Sequence, residues 1–220
     1  MKNSKEQKHN KQKIALIGAG GHSKVVQEII TEHPEYELSA ILDDRFTQVE
    51  ERHGVMFAPI SLCHELISMN AEIKWFIAIG RNESRQKLIE RLSFRLDQYA
   101  TLIHPSAIVS QSAQIGVGTV IMAQAVVNAS AKVGDHVIIN TGAVVEHDCA
   151  IESYVHVSPK AVLTGNVSTL EGAHVGAGAV VIPGKTIGRW STIGAGATVI
   201  SNIPANVTAV GVPAVVMNDN

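Results

Sequence analysis

The sequence has little of what many folded chains rely on. Aromatic residues make up 4% of its 220 positions and charged residues 17%, so the interior must be built from aliphatic and small side chains. Only two cysteines occur, Cys63 and Cys149, too few for a disulfide framework. No apolar run approaches the roughly 18 residues of a membrane-spanning helix. The opening Met1 to Lys13 carries five lysines with no apolar stretch behind them, unlike a secretory leader. A net charge of −2 gives no field for nucleic acid or an acidic membrane, which would need clustered Lys and Arg. These absences predict a cytoplasmic protein with no nucleic-acid and no membrane partner, and a solvated tail over residues 1–12. What is present is a hydrophobic fraction of 45%, enough for a sizeable core.

Two halves follow different periods. Over residues 13–100, Ile14 to Ile17 reads as a buried strand, Gly18 to Gly21 as a turn, and His22 to Thr31 as a helix with Val25, Val26, Ile29 and Ile30 on one face. Ser39 to Leu42 and Trp75 to Ile79 read as further strands, and Ile60 to Met69 and Ser84 to Leu96 as helices. Strands alternating with helices predict a small parallel sheet, a Rossmann-like unit of about three strands, too few for a full two-lobed dinucleotide domain.

Over residues 101–220 helix punctuation disappears. Counting by six from Ile103 gives Val109, Ile115, Ile121, Val127, Val133, Ile139, Val145, Ile151, Val157, Leu163, Thr169, Val175, Val181, Ile187, Ile193 and Val199, aliphatic at every position but Thr169. A six-residue period fits neither an α-helix nor an uninterrupted two-sided strand. It belongs to a parallel β-helix, in which each hexad supplies one short strand and a corner made by small residues. Three hexads close one triangular coil, so residues eighteen apart stack at the ~4.8 Å strand spacing. By this count His147 stacks on Gly165 and His156 on His174.

The hexads, the loop Gly18-Ala19-Gly20-Gly21-His22-Ser23, the stretch Asn140 to Cys149, His156-Val157-Ser158, Gly165-Asn166-Val167 and the closing Gly211-Val212-Pro213-Ala214 together resemble one family. It is that of the left-handed β-helix acyltransferases that O-acetylate sialic acid or N-acetylate nucleotide-linked 4-amino sugars. The likeness runs over residues 13–217. It implies the left hand of the β-helix, which the usual rule for parallel crossovers would reverse. It also implies a homotrimer, with a groove for acetyl-CoA between neighbouring β-helices, and no metal.

Acyl transfer from a thioester needs a base for the acceptor's proton and a donor for the oxyanion. His147 suits the base, since imidazole titrates near neutrality and an adjacent carboxylate favours its charged form. By similarity Asp148 is the carboxylate, with Glu146 as runner-up. Gly165, one coil on, suits the backbone donor. The plain alternative for His147 is a surface corner histidine satisfied by Asp148. The resemblance further implies that His156, Gly165, Ala177 and Ala195 lie along acetyl-CoA, although a turn-capping role for His156 and simple coil packing for the alanines read equally from the residues. The glycine-rich loop can meet phosphate with backbone N–H groups, but Ser23 stands where a dinucleotide fingerprint has its third glycine, so NAD is not supported. The resemblance implies a nucleotide-sugar site with Gly20, Gly21 and His22 at the phosphates, Asp43 and Asp44 near the base, and Gly80 below it. The plain alternative there is a βα turn and a solvated acidic pair. Two departures stand out, Arg81 after Gly80 and Val215 after the closing Pro-Ala, where the family often has a smaller polar residue and a Lys or Arg.

The expectation is therefore an acetyl-CoA-dependent N-acetyltransferase acting on a nucleotide-linked (UDP, dTDP or GDP) amino-deoxy sugar, such as a 4-amino-4,6-dideoxy hexose. Rivals are a sugar O-acetyltransferase, transfer to a small amino acid, a zinc-dependent β-helix hydratase drawing on His147, His156 and His174, and a non-catalytic nucleotide-sugar-binding protein.

Overall fold

A computed structural model describes residues 11–217. Most of the segment expected to be a tail, residues 1–10, lies outside the described residues, while Gln12 already opens the first strand. The N-terminal unit runs β1 (Gln12–Ile17), α1 (Gly21–Glu32), β2 (Tyr36–Leu42), β3 (Glu50–Arg52), β4 (Val55–Ala58), α2 (Cys63–Met69), β5 (Lys74–Ile77) and α3 (Asn82–Leu92). The sheet order is β3-β4-β2-β1-β5, with every neighbouring pair parallel except β3 and β4.

Several local expectations need correction. The sheet has five strands rather than three, because His53 and Gly54 both take left-handed backbone (φ 52° and 76°), the two-residue turn that closes a hairpin. That turn lays Val55 to Ala58 alongside β2. The last helix starts at Asn82 and stops at Leu92, where Ser93 turns left-handed, and β5 ends at Ile77. On α1 the buried face is Ser23, Val26, Ile29 and Ile30; Val25 is 40% exposed.

The second unit is a left-handed parallel β-helix of two-residue strands on three faces. Partners across each ladder differ by eighteen, as in Val126 with Val144 and His156 with His174. Two periods hold it. The first is the aliphatic hexad position, joined two residues earlier by a small inward residue: Ala125, Ala131, Ala143, Cys149, Ala161, Ala173 and Ala179 are all buried beside their larger neighbours. Cys149 is thus a core residue, with its thiol pushed up by burial. The second is a left-handed corner at every sixth residue from Gly118 to Gly196, with φ between 54° and 70°. Small residues were expected there, yet His136, Tyr154, Lys160 and Trp190 occupy such corners, so each spends some backbone strain. Regularity ends where Thr192 pairs with Thr208, sixteen residues on.

The faces differ outwardly. One, which carries Leu102, Val120 and Ile138, docks the N-terminal sheet, and these residues share a core with Ile14, Leu16 and Phe76. A second presents Ile108, Val126, Val144, Val162, Val180 and Thr198 in one stacked column, with Ile108 65% exposed. The third presents Gln114, Lys132, Ala150, Ser168 and Thr186.

Thr169, the break in the aliphatic series, is fully buried and its hydroxyl has no partner. An unsatisfied buried polar group costs about 1–3 kcal/mol. Thr169→Val should therefore raise stability by about 1 kcal/mol, read as a higher midpoint in chemical unfolding; a lower midpoint would show that the hydroxyl is satisfied.

Candidate functional site

His147 and Gly165 occupy the same vertex, between the aliphatic and polar faces, one coil apart. Asn166 N–H donates to His147 O at 2.9 Å, locking the two corners in register. A methyl group on Gly165 would sit 2.7 Å from both Cε1 and Nε2 of His147, so only glycine lets the imidazole lie against the next coil. The Gly165 N–H has no acceptor among the described residues. Asp148 follows in the left-handed corner conformation (φ 59°), which turns its carboxylate back so that Oδ2 lies 2.8 Å from His147 Nδ1. Glu146 instead meets the backbone N–H of His147 at 3.4 Å. The His147 side chain is 61% exposed.

The glycine-rich loop opens a cavity of about 410 Å³ bordered by Gly20, Gly21, His22, Asp44, Arg45 and Gly80. Gly18 is required by the chain itself: its φ is 110°, and an added methyl would press on Ala78 O at 2.9 Å. Gly20, Gly21 and Gly80 are different. None has positive φ, and a methyl on any of them would meet nothing within 4 Å. The chain's own packing does not call for glycine there, and the missing side chains leave this backbone bare to the cavity. Helix α1 starts in this cavity with no side-chain cap and no acidic residue in its first turn, so its leading N–H groups are available to an anion. Burial, then Arg85, pushes His22 down to about 4, and its Nε2 is buried without a partner.

The two aspartates divide. Asp43 Oδ2 accepts from Ala19 N–H at 2.7 Å, and Oδ1 accepts from Arg45 N–H at 3.1 Å and Arg45 Nε at 3.0 Å. Burial alone would raise this carboxyl, but those hydrogen bonds and the Arg45 charge hold it below its usual value. Asp43 therefore ties two loops together. Asp44 keeps its oxygens open, with Arg91 no nearer than 3.9 Å. Arg45 drew no notice in the sequence because a charged residue after a strand usually faces solvent.

A neighbouring cavity of about 460 Å³ shares Gly80 and adds Arg81, Asn82, His156, His174 and Trp190. The two imidazoles stack with centroids 5.0 Å apart. His156 Nε2 lies 3.0 Å from Asn140 Nδ2, and His174 Nε2 lies 2.8 Å from Ser158 Oγ. Burial, then His174, Arg85 and His22, pushes His156 down to about 3; burial and Arg85 also lower His174. Among the described residues no group of three or more His, Cys, Asp or Glu side chains could hold a metal ion.

One chain brings His147 and Gly165 together, and separately gathers Gly20, Gly21, His22, Asp43, Asp44 and Gly80. It does not join the two groups. His156 is on the docking face, opposite the His147 vertex, and both cavities lie on that docking side. Ala177 and Ala195 stack at a third place, the vertex between the docking and aliphatic faces, where Gly196 N–H donates to Ala177 O at 2.8 Å.

The family described as the PglD N-terminal domain matches residues 13–92. The UDP-N-acetylbacillosamine N-acetyltransferase of Bacillus subtilis (strain 168) is 50% identical over 109 residues, 50% of each protein. The chain thus aligns with about half the length of that curated relative. Among solved structures, a mutant perosamine N-acetyltransferase from Caulobacter crescentus, in complex with CoA and GDP-perosamine, is 40% identical. Its TM-score is 0.85, and the match covers 94% of this chain and 97% of that one. The acetyltransferase domain of PglB from Neisseria gonorrhoeae FA1090, in complex with acetyl coenzyme A, is 39% identical with a TM-score of 0.85, covering 94% of this chain and 100% of that one.

Several buried histidines give the stability a definite pH dependence. His136 is 2% exposed, wedged between Tyr99 and Tyr154 with neither ring nitrogen partnered, and burial pushes it down to about 4. His22 and His156 are depressed likewise. Their folded pKa values lie below the ordinary 6.5, so as pH falls the unfolded chain takes up protons first. Stability should be complete above about pH 6.5 and decline from there toward pH 4. His136→Phe should flatten that decline in urea titrations at stepped pH; an unchanged slope would show that His136 does not contribute.

Proposed function

The chain belongs to the hexapeptide-repeat N-acetyltransferases of nucleotide-linked amino sugars, and from that premise we propose that it transfers the acetyl group of acetyl-CoA to the amine of a nucleotide-linked amino-deoxy sugar. The observation that carries this reading is the His147 imidazole lying against Gly165 with Asp148 on its far nitrogen. The sugar nitrogen attacks the thioester carbonyl while His147 Nε2 accepts the proton that the nitrogen sheds. Asp148 accepts from Nδ1–H, fixing the tautomer whose Nε2 is free to take the proton, and stabilises the imidazolium. The Gly165 N–H donates to the carbonyl oxygen as it gains charge. Collapse of the tetrahedral species breaks the carbon–sulfur bond, and the CoA thiolate leaves with the proton returned from His147.

The acceptor's nucleotide belongs in the cavity of Gly20, Gly21, His22 and Gly80. The uncapped end of α1 faces the diphosphate there, and Asp44, rather than Asp43, carries the free carboxylate toward the base. Because His147 and that cavity sit on opposite sides of one β-helix, the working site is composite: the His147 vertex of one copy serves the N-terminal unit of another. A homotrimer satisfies this requirement. It also covers the column Ile108, Val126, Val144, Val162 and Val180, an apolar stripe of the sort that seldom stays in water. Acetyl-CoA then runs between adjacent β-helices, past Ala177, Ala195 and His156 of one and Gly165 of the other. The reading includes a cytoplasmic location and no metal.

Incubating the protein with acetyl-CoA and a panel of UDP-, dTDP- and GDP-linked amino and hydroxy sugars, while following free thiol, tests acceptor and reaction together. Thiol release with a nucleotide-linked amine is the expected result; release only with hydroxyl acceptors would replace N-transfer by O-transfer. His147→Ala should lower turnover by about two to four decades with nucleotide affinity intact, and wild-type turnover in that variant would remove the base.

A further inference from the structure

Arg85 lies in the first turn of α3 and is 1% exposed. Among the described residues no carboxylate pairs with it. Its five N–H groups reach six backbone and amide oxygens instead. Nε donates to His136 O at 2.9 Å. One terminal nitrogen donates to Ile79 O at 3.0 Å and Gly80 O at 3.1 Å. The other donates to Asn82 Oδ1 at 3.1 Å and Tyr154 O at 2.7 Å. It also reaches Val155 O at 3.5 Å, so three acceptors belong to the N-terminal unit and three to the β-helix. His136 and Tyr154 are left-handed corners eighteen residues apart on one vertex, so the guanidinium plane spans one rung of the coil. Asn82 Nδ2 extends the tie to the following corner, donating to Gly172 O at 3.0 Å and Ala173 O at 3.1 Å. A lysine, with three donors on a flexible stem, cannot reproduce this fork.

The residue gripped from the N-terminal side is the important one. Gly80 borders both cavities, and its carbonyl is fixed by the same guanidinium that holds the two β-helix corners. We propose that Arg85 is the positioning residue of the transfer reaction: it sets Gly80, and with it the nucleotide-binding rim, at a fixed height on the coil, and so decides where the sugar amine is presented. This rests on the reading above that the chain acetylates a nucleotide-linked amine. Arg85 touches neither substrate. Burial pushes it down to about 10, so it remains a cation at neutral pH, and its charge adds to the burial that keeps His22, His156 and His174 neutral.

The test is Arg85→Lys in the full chain, with kcat expressed per folded molecule as measured by circular dichroism. The affinity for the nucleoside diphosphate (UDP, dTDP or GDP, whichever the active sugar carries) is measured beside it. A misplacement of about 1 Å can cost on the order of 100-fold in rate. The expected result is a 10- to 100-fold fall in kcat with the nucleotide sugar, while KM for acetyl-CoA and the nucleoside diphosphate Kd stay within about 3-fold of wild type, as expected when orientation rather than binding is lost. A variant that melts earlier but turns over normally per folded molecule overturns the proposal, because Arg85 would then be structural only. Loss of nucleoside diphosphate affinity in parallel with kcat also overturns it, because Arg85 would then shape the pocket itself. Should Arg85→Lys fail to fold, Arg85→Gln, which keeps a buried N–H donor at the site but loses the fork, carries the same expectation and the same two contrary outcomes. A wild type silent on every nucleotide-linked amine overturns the functional reading instead, and that shows before any variant is made.

Discussion

Everything in this molecule depends on the vertical hydrogen bonding of one coil to the next. From Leu102 to Val199 each strand of the β-helix is only two residues long, far too short to be stable alone, and exists because the coils above and below supply its partners. The eighteen-residue register is therefore rigid, and it is what makes chemistry of an ordinary histidine. His147 on an isolated turn would be a mobile surface side chain. Here Asn166 donates to its carbonyl, the next coil offers Gly165 as a floor, and the left-handed corner at residue 148 aims a carboxylate at its ring. Three backbone constraints hold one side chain.

That register is a property of sequence, and so the β-helix was readable before any coordinates. A six-residue aliphatic period leaves few architectures open, and adding eighteen to His147 lands on Gly165. The second inward position escaped notice because it is filled by alanine, cysteine and valine, which do not stand out in a chain so rich in them. The left-handed corners escaped for the converse reason. Stacking within the coil lets His136, Tyr154 and Trp190 take a backbone conformation that sequence reasoning assigns to glycine or asparagine.

Less of the N-terminal unit was legible. Val55 to Ala58 is a short apolar run, and only the His53-Gly54 turn identifies it as half of a hairpin. Asp43 and Asp44 are chemically identical neighbours, so residue type could not say that one would be consumed by Ala19 and Arg45 while the other stayed open. Arg85 sits on a helix whose other charged residues are solvated. Its burial depends on carbonyls 51 and 69 residues away, and no local pattern encodes a partner that is a bare backbone oxygen.

The same distinction separates the two candidate places on the chain, the His147 corner and the glycine-lined cavity. The His147 corner is built into the ladder and cannot move without breaking it. The rim of the first cavity is built from a loop that includes Gly20 and Gly21 and from Gly80, three glycines that nothing in the chain presses upon, so it can accommodate a ligand. A rigid half and an accommodating half need a joint that transmits position but not strain. A guanidinium held by six backbone and amide oxygens suits this, because its plane fixes direction while each single hydrogen bond contributes only about 0.5–3 kcal/mol. An aliphatic contact of the same area would stabilise the junction equally well and would leave its angle free.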